Sequence, residues 1–209
     1  AYEIRPRDWS SDVCSSDLSE KVIIARVAKS GEGPSAVKCT KERPVSVERQ
    51  SLIDRPEDHH ALIQLYRRMI DAWNRRDAAG MALCFSPDAE VIGFDGSTMR
   101  GREEVRVTLD QVFQDHATPP YVAKVTRTRK VSFHVGILHA VAGMVPPGSD
   151  ELDPALNAVQ TMVASSEYGE WVIVSFQNTP AQFHGRPDLA EALTAELRQV
   201  HLDAPIITR

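Results

Sequence analysis

Two side chains in this sequence could move a proton within a sheltered site. Asp95 stands in the turn FDGS, and His139 stands inside the apolar run ILHAVAGM. A carboxyl group that turns inward and loses water is held protonated to higher pH, which makes it a proton shuttle; an imidazole titrates near neutrality without such help. Each also has a simpler reading. Aspartate is favoured in turns because its side chain bonds to nearby backbone, and a lone strand histidine can be a hydrogen-bonded core group. Gln160, Gln177 and Asn178 fall on strand-like segments where apolar residues would pack better, so each needs partners if buried. They are candidates to orient a polar ligand atom, although Asn178 and Thr179 also precede Pro180 and can simply end a strand. Tyr66, Met69 and Trp73 recur at steps of three and four, a spacing that suits either a packed core or a pocket wall, and Phe94 beside Asp95 joins them as a lining candidate.

Other chemistries find no footing. Cys14, Cys39 and Cys84 form no CxxC pair, which argues against a disulfide framework and against zinc. Cys84, between Leu83 and Phe85, fits a core position. His59 and His60 are adjacent, and neighbours on a helix point about 100° apart, so they cannot share one ion. Ser97 lacks the GxSxG setting of a hydrolase nucleophile, and Gly31 and Gly33 lack the third glycine of a dinucleotide loop. His184 lies in a Gly/Pro-bounded loop and fits either a solvated position or a cover over a pocket mouth. Glu103 and Glu104 complement the positive end of a helix. The sequence predicts no metal and no cofactor.

The elements that must position these residues follow from periodicity. Asp54, Pro56 and Glu57 mark a helix start, after which Leu62, Leu65, Tyr66, Met69, Ile70 and Trp73 form one apolar face, with Arg67, Arg68, Asp71, Arg75 and Arg76 opposite. A short helix is expected over Ala78 to Phe85, a strand over Ala89 to Phe94, and a helix in GREEVRVTLDQVFQDH, where Val105, Leu109, Val112 and Phe113 repeat. Strands are expected over Tyr121 to Phe133, Ile137 to Val145, Ala158 to Ser166 and Trp171 to Asn178, followed by a helix over Leu189 to Val200. Helices first and strands afterwards imply an α+β arrangement with a curved antiparallel sheet around the N-terminal helices and a pocket at its open end.

The chain has 209 residues, a formal net charge of −5, and 42% hydrophobic and 25% charged residues, the balance of a globular protein. Residues 1–50 carry nine Lys/Arg and eight Asp/Glu, the remainder fifteen and twenty-one, so the presumed domain is acidic and poorly suited to nucleic acid. No apolar run approaches the roughly 18 to 20 residues that span a bilayer, and nothing at the start resembles a secretory signal. A cytoplasmic protein that binds neither nucleic acid nor membrane is expected. Residues 7–18, RDWSSDVCSSDL, resemble a common sequencing adapter translated in one frame. Together with the Gly, Pro, Ser and Lys punctuation that follows, this marks residues 1–50 as a disordered, artefactual leader, residues 51–187 as the domain, and residues 188–209 as a C-terminal helix and tail.

Three segments, AWNRRDAAGMALCFSPDAEVIGFDGSTMRGREEV, LHAVAGMVPPG and EWVIVSFQNTPAQFHGRP, resemble the SgcJ/EcaC family, a branch of the SnoaL-like and nuclear-transport-factor-2-like proteins. The resemblance runs from about Asp54 to Pro187. It implies a cone-shaped α+β barrel, a homodimer, and a hydrophobic pocket between the first helix and the sheet. Family members are often labelled oxidoreductases and found near natural-product biosynthesis genes, yet no flavin, nicotinamide or haem motif appears here. A ketosteroid-isomerase-like mechanism does not carry over: its carbonyl-polarising tyrosine falls on Met69 and its general-base aspartate on Gly93, leaving only Asp95 two places later as a substitute. The expected function is binding of a small apolar organic molecule, with proton transfer, hydration or isomerisation as chemistry that the pocket could support. The alternative is a non-catalytic dimeric binding or assembly module.

Overall fold

The computed structural model describes residues 55–203, residue 168 aside, and the backbone of residues 206–207. The expected leader and the Asp54 cap lie outside the described residues.

Helix α1, Pro56–Asn74, begins with proline at its first turn and is preceded by Arg55 in extended conformation. Its apolar face is the one that periodicity predicts. Leu62, Leu65, Tyr66, Met69 and Ile70 are all at most 1% exposed, and each such aliphatic side chain contributes about 2 kcal/mol by leaving water. Helix α2, Ala78–Ala82, is shorter than expected. Asp77 caps it by accepting the Gly80 N–H at 2.7 Å.

Strand β1, Phe85–Ile92, then forms, and the turn FDGS leads into a short strand β2, Thr98–Arg100, that the sequence pattern did not announce. Helix α3, Gly101–Asp115, follows directly. Gly101 has φ +78°, and a Cβ there would stand 2.7 Å from the carbonyl oxygen of Pro87, so the sharp entry into α3 needs glycine. Strands β3, Tyr121–Lys130, and β4, Val135–Met144, form a hairpin; a 3-10 turn, Pro154–Leu156, precedes β5, Ala158–Ser165, and β6, Val172–Pro180. Helix α4, Pro187–Asp203, and a two-residue strand β7, Ile206–Ile207, complete the described chain.

The sheet runs β2-β1-β6-β5-β4-β3-β7. It is α+β as expected, but two expectations are corrected. The sheet curves without closing into a barrel, because β2 and β7 are edges with no partner between them. It is also not wholly antiparallel, since β1 runs parallel to β6, and β7 parallel to β3. The β1–β6 pairing joins segments more than eighty residues apart, which no local pattern encodes.

Alternation along each strand separates two faces. The inner face meets α1, α2 and α3, with Phe85, Ala89, Leu138, Ala140, Met162 and Ile173 essentially inaccessible. Gly136 permits a close approach there, since a Cβ at that position would lie 2.6 Å from a Leu62 methyl. The outer face is covered at one end by α4, whose Leu193, Leu197 and Val200 pack with Val122, Leu152 and Val141.

A buried ion pair fixes the start of α1. Lys130, at 0% exposure, places Nζ 3.2 Å from Asp58 Oδ2, donates to the Phe133 carbonyl at 2.9 Å, and stands 4.1 Å over the Trp171 ring.

Candidate functional site

Between α1, α3 and the inner face of the sheet lies a cavity of about 280 Å³, near the lower end of the roughly 300–1,000 Å³ typical of ligand pockets. Met69, Ile70 and Trp73 come from α1, Thr108, Leu109 and Val112 from α3, Val91 from β1, Met99 from β2 and Phe176 from β6. The spacing of three and four on both helices puts these side chains on one wall each. Trp73 is held in place: its indole N–H donates to the Pro119 carbonyl at 3.0 Å, and its ring packs 5.3 Å from both Phe113 and Tyr121. With its polar atom tied outside, Trp73 offers the cavity only apolar surface.

The floor is polar. The register aligns Ala140 with Gln160 and Gln160 with Asn178 across β4, β5 and β6 on the inner face. Tyr66 donates its hydroxyl hydrogen to Gln160 Oε1 at 2.5 Å, Gln160 Nε2 donates to Asn178 Oδ1 at 3.2 Å, and Asn178 Nδ2 donates to the Tyr121 hydroxyl oxygen at 2.8 Å. All four residues are buried. Tyr121 crosses to this row over Ala123, Ala142 and Ala158, which share a register row whose short side chains leave room. Its backbone is clamped from α1, because Asn74 donates Nδ2 to the Tyr121 carbonyl at 3.0 Å and accepts the Tyr121 N–H at 2.7 Å. Burial pushes both phenols up, so both stay protonated across the ordinary pH range.

The structure sorts the candidates. Met69, Trp73, Phe94, Gln160 and Asn178 line the cavity. Tyr66 does not; it stands behind the floor, 1% exposed, and holds Gln160. Gln177 is corrected outright: one step from Asn178, it faces the outer side and is exposed, in register with Thr161. His139 lies in that same outer row, half-buried, with Nδ1 3.2 Å from Thr161 Oγ1. It is therefore not placed to act on a molecule in the cavity. Asp95 reaches the cavity rim but is exposed, and the condition for a raised pKa is not met. Hydrogen bonds from the Ser97 side chain and backbone, the latter at 3.0 Å, hold its carboxyl below the usual range. His184 is exposed and away from the cavity lining.

Sequence reading missed Tyr121, which its place at the start of an alternating strand presented as another inward apolar residue. Met99, Thr108 and Leu109 were missed as lining residues too, since helical spacing shows a buried face without showing what stands opposite. Asp95 is the single charged residue of the described lining, so the enclosed part of the site is neutral. Among the described residues no cluster of His, Cys, Asp and Glu could hold a metal ion, and no helix is long and apolar enough to cross a membrane.

Comparison with known proteins gives this architecture its class. The family model described as a SnoaL-like domain matches residues 66–151, from the middle of α1 past β4. A domain of unknown function with a cystatin-like fold from Nostoc punctiforme PCC 73102 superposes with a TM-score of 0.60 at 26% identity, covering 72% of this chain and 95% of that one. A ketosteroid isomerase-like protein from Erwinia carotovora atroseptica SCRI1043 gives 0.50 at 11% identity, over 61% and 99% of the two chains. An NTF2-like protein of unknown function from Pseudomonas putida KT2440 gives 0.52 at 13%, over 62% and 92%. No curated protein matches. The chain thus has the SnoaL-like, nuclear-transport-factor-2-like fold.

Proposed function

We propose that this protein binds a small, uncharged, largely apolar organic molecule in the cavity between α1 and the sheet. The observation that carries the reading is the cavity itself, with apolar walls from two helices and the sheet and a hydrogen-bonded polar floor. That composition is what a ligand site needs: area for affinity and a few fixed polar groups for orientation. The resemblance to the SgcJ/EcaC family supports a ligand from natural-product metabolism, and the cytoplasm is the compartment expected from the sequence. Binding is favoured over turnover because Asp95, at the rim, is the one candidate proton carrier that touches the cavity. Any proton-transfer, hydration or isomerisation step would fall to its carboxylate acting as a base.

The test is mass spectrometry of the organic extract from purified full-length protein exposed to cell lysate. A retained apolar metabolite, reduced at least tenfold in Trp73→Ala, is the expected result. Failure of the wild type to retain any compound would sink the binding reading.

A second reading rests on the outer face of the sheet. Ile137, Val159 and Val163 stand there around His139 and Thr161, and Val159 is 41% exposed. Apolar residues on a face that α4 covers only at one end favour a homodimer through this surface.

A further inference from the structure

On the reading of the cavity as a ligand site, we infer that Tyr121 presents its hydroxyl hydrogen to the cavity and thereby selects a neutral ligand carrying a carbonyl oxygen. The argument is one of hydrogen-bond polarity. Tyr66, Gln160, Asn178 and Tyr121 form a single chain of contacts, and a chain of two hydroxyls and two amides can run in either direction. In one direction Tyr66 donates first and the spare hydroxyl hydrogen falls on Tyr121. In the other, both amides turn over, Tyr121 donates first, and the spare hydrogen falls on Tyr66.

The surroundings decide between them. Tyr66 is 1% exposed within the apolar core, and among the described residues its hydroxyl has Gln160 as its hydrogen-bond partner. The reverse direction would strand a donor in that core, where neither protein nor solvent can accept it. Tyr121 lies on the cavity lining, where water or a ligand can take the hydrogen. The forward direction therefore holds, and the far end of the chain is a donor aimed at whatever fills the cavity. The clamp of Asn74 on the Tyr121 backbone and the packing of Trp73 against its ring fix the position of that donor in advance. Burial keeps the phenol protonated, so the donor persists at every ordinary pH. Because the enclosed lining carries no charge, an ionised ligand group would lose its water without compensation. A ketone, quinone or ester carbonyl meets both conditions.

The test uses 1-indanone and indane, two probes with the same ring skeleton that differ in the carbonyl. Binding is followed by calorimetry, and the carbonyl stretch of bound indanone by infrared difference spectroscopy. Tyr121→Phe is expected to weaken indanone about 3- to 10-fold, the worth of one neutral hydrogen bond, while indane changes by less than about twofold. The stretch of indanone in the wild type is expected below its value in hydrocarbon solvent and returns to that value in the variant. Tyr66→Phe touches neither probe, yet it removes the reason for the forward direction and is expected to raise the stretch as well. If Tyr121→Phe fails to fold, the wild-type stretch alone decides. Both probes bound with an unshifted stretch, or weakened equally by Tyr121→Phe, would overturn the donor and leave the pocket standing. Binding of neither probe would overturn the pocket reading and this inference together.

Discussion

Asp95 shows how far a residue's neighbours decide its chemistry. It lies two positions from where a catalytic base would sit, but the turn that carries it is stitched by its own hydrogen bonds. Gly93 N–H donates to the Ser97 carbonyl at 2.8 Å, and Ser97 N–H donates to Asp95 Oδ1. The bonds that Ser97 donates to the carboxyl favour the ionised form, so Asp95 is a carboxylate at neutral pH. An NMR titration is expected to find its midpoint below the ordinary aspartate value of about 3.9, with Ser97→Ala moving it back up. The linked stability has a definite sign: with the folded pKa depressed, the contribution is present above the unfolded pKa and disappears as pH falls through the folded one. A midpoint above the ordinary value would restore Asp95 as a proton shuttle. The contrast of Gln160 with Gln177 is equally local. Both look alike in the sequence, but Gln160 shares parity with Met162 and Ala164, whereas Gln177 alternates against Phe176 and Asn178.

At the level of elements, α1 is the part that the sequence made plainest, since its apolar stripe at steps of three and four has no other use. What anchors it was not legible, because the partner of Asp58 is Lys130, seventy-two residues later and written as one more polar position of an alternating strand. Such a pair is strongly destabilising to break, because the surviving charge stays buried. Asp58→Ala is expected to cost about 3 kcal/mol in urea denaturation, because it removes a carboxylate from beside a fully buried ammonium. A loss below about 1 kcal/mol, the range of exposed pairs, would mean that the pair is solvated in practice. The edge strand β2 and the parallel β1–β6 pairing escaped prediction for a related reason: register is a property of distant segments, and three residues of strand leave no periodicity to read.

For the whole molecule, the sheet divides the chain into two surfaces with different consequences. The inner surface and its three helices enclose the cavity; the outer surface is half covered by α4 and leaves Val159 and its neighbours to water or to a second copy. The homodimer reading predicts twice the monomer mass by light scattering at micromolar concentration, reduced to the monomer by Val159→Glu; a wild-type monomer at that concentration would contradict it. Fold class and the apolar faces of the helices were readable in advance because both follow from amphipathic periodicity, but of the apolar wall only Met69, Trp73 and Phe94 were named as lining. The floor was readable only in part. Its hydrogen bonds run between α1, β3, β5 and β6, and a tyrosine at a strand start carries no mark of the amide waiting three strands away in the sheet.

The account turns on where a small apolar molecule sits, and an amide-proton NMR titration of the full-length protein with 1-indanone locates it most directly. The Trp73 indole N–H and the side-chain amides of Gln160 and Asn178 are reporters at the wall and floor, while the Gln177 side-chain amide reports from the outer face. The account predicts saturable shifts in the first three and none in the fourth; shifts confined to Gln177 and the outer face, or none at saturation of the solvent with probe, would contradict it.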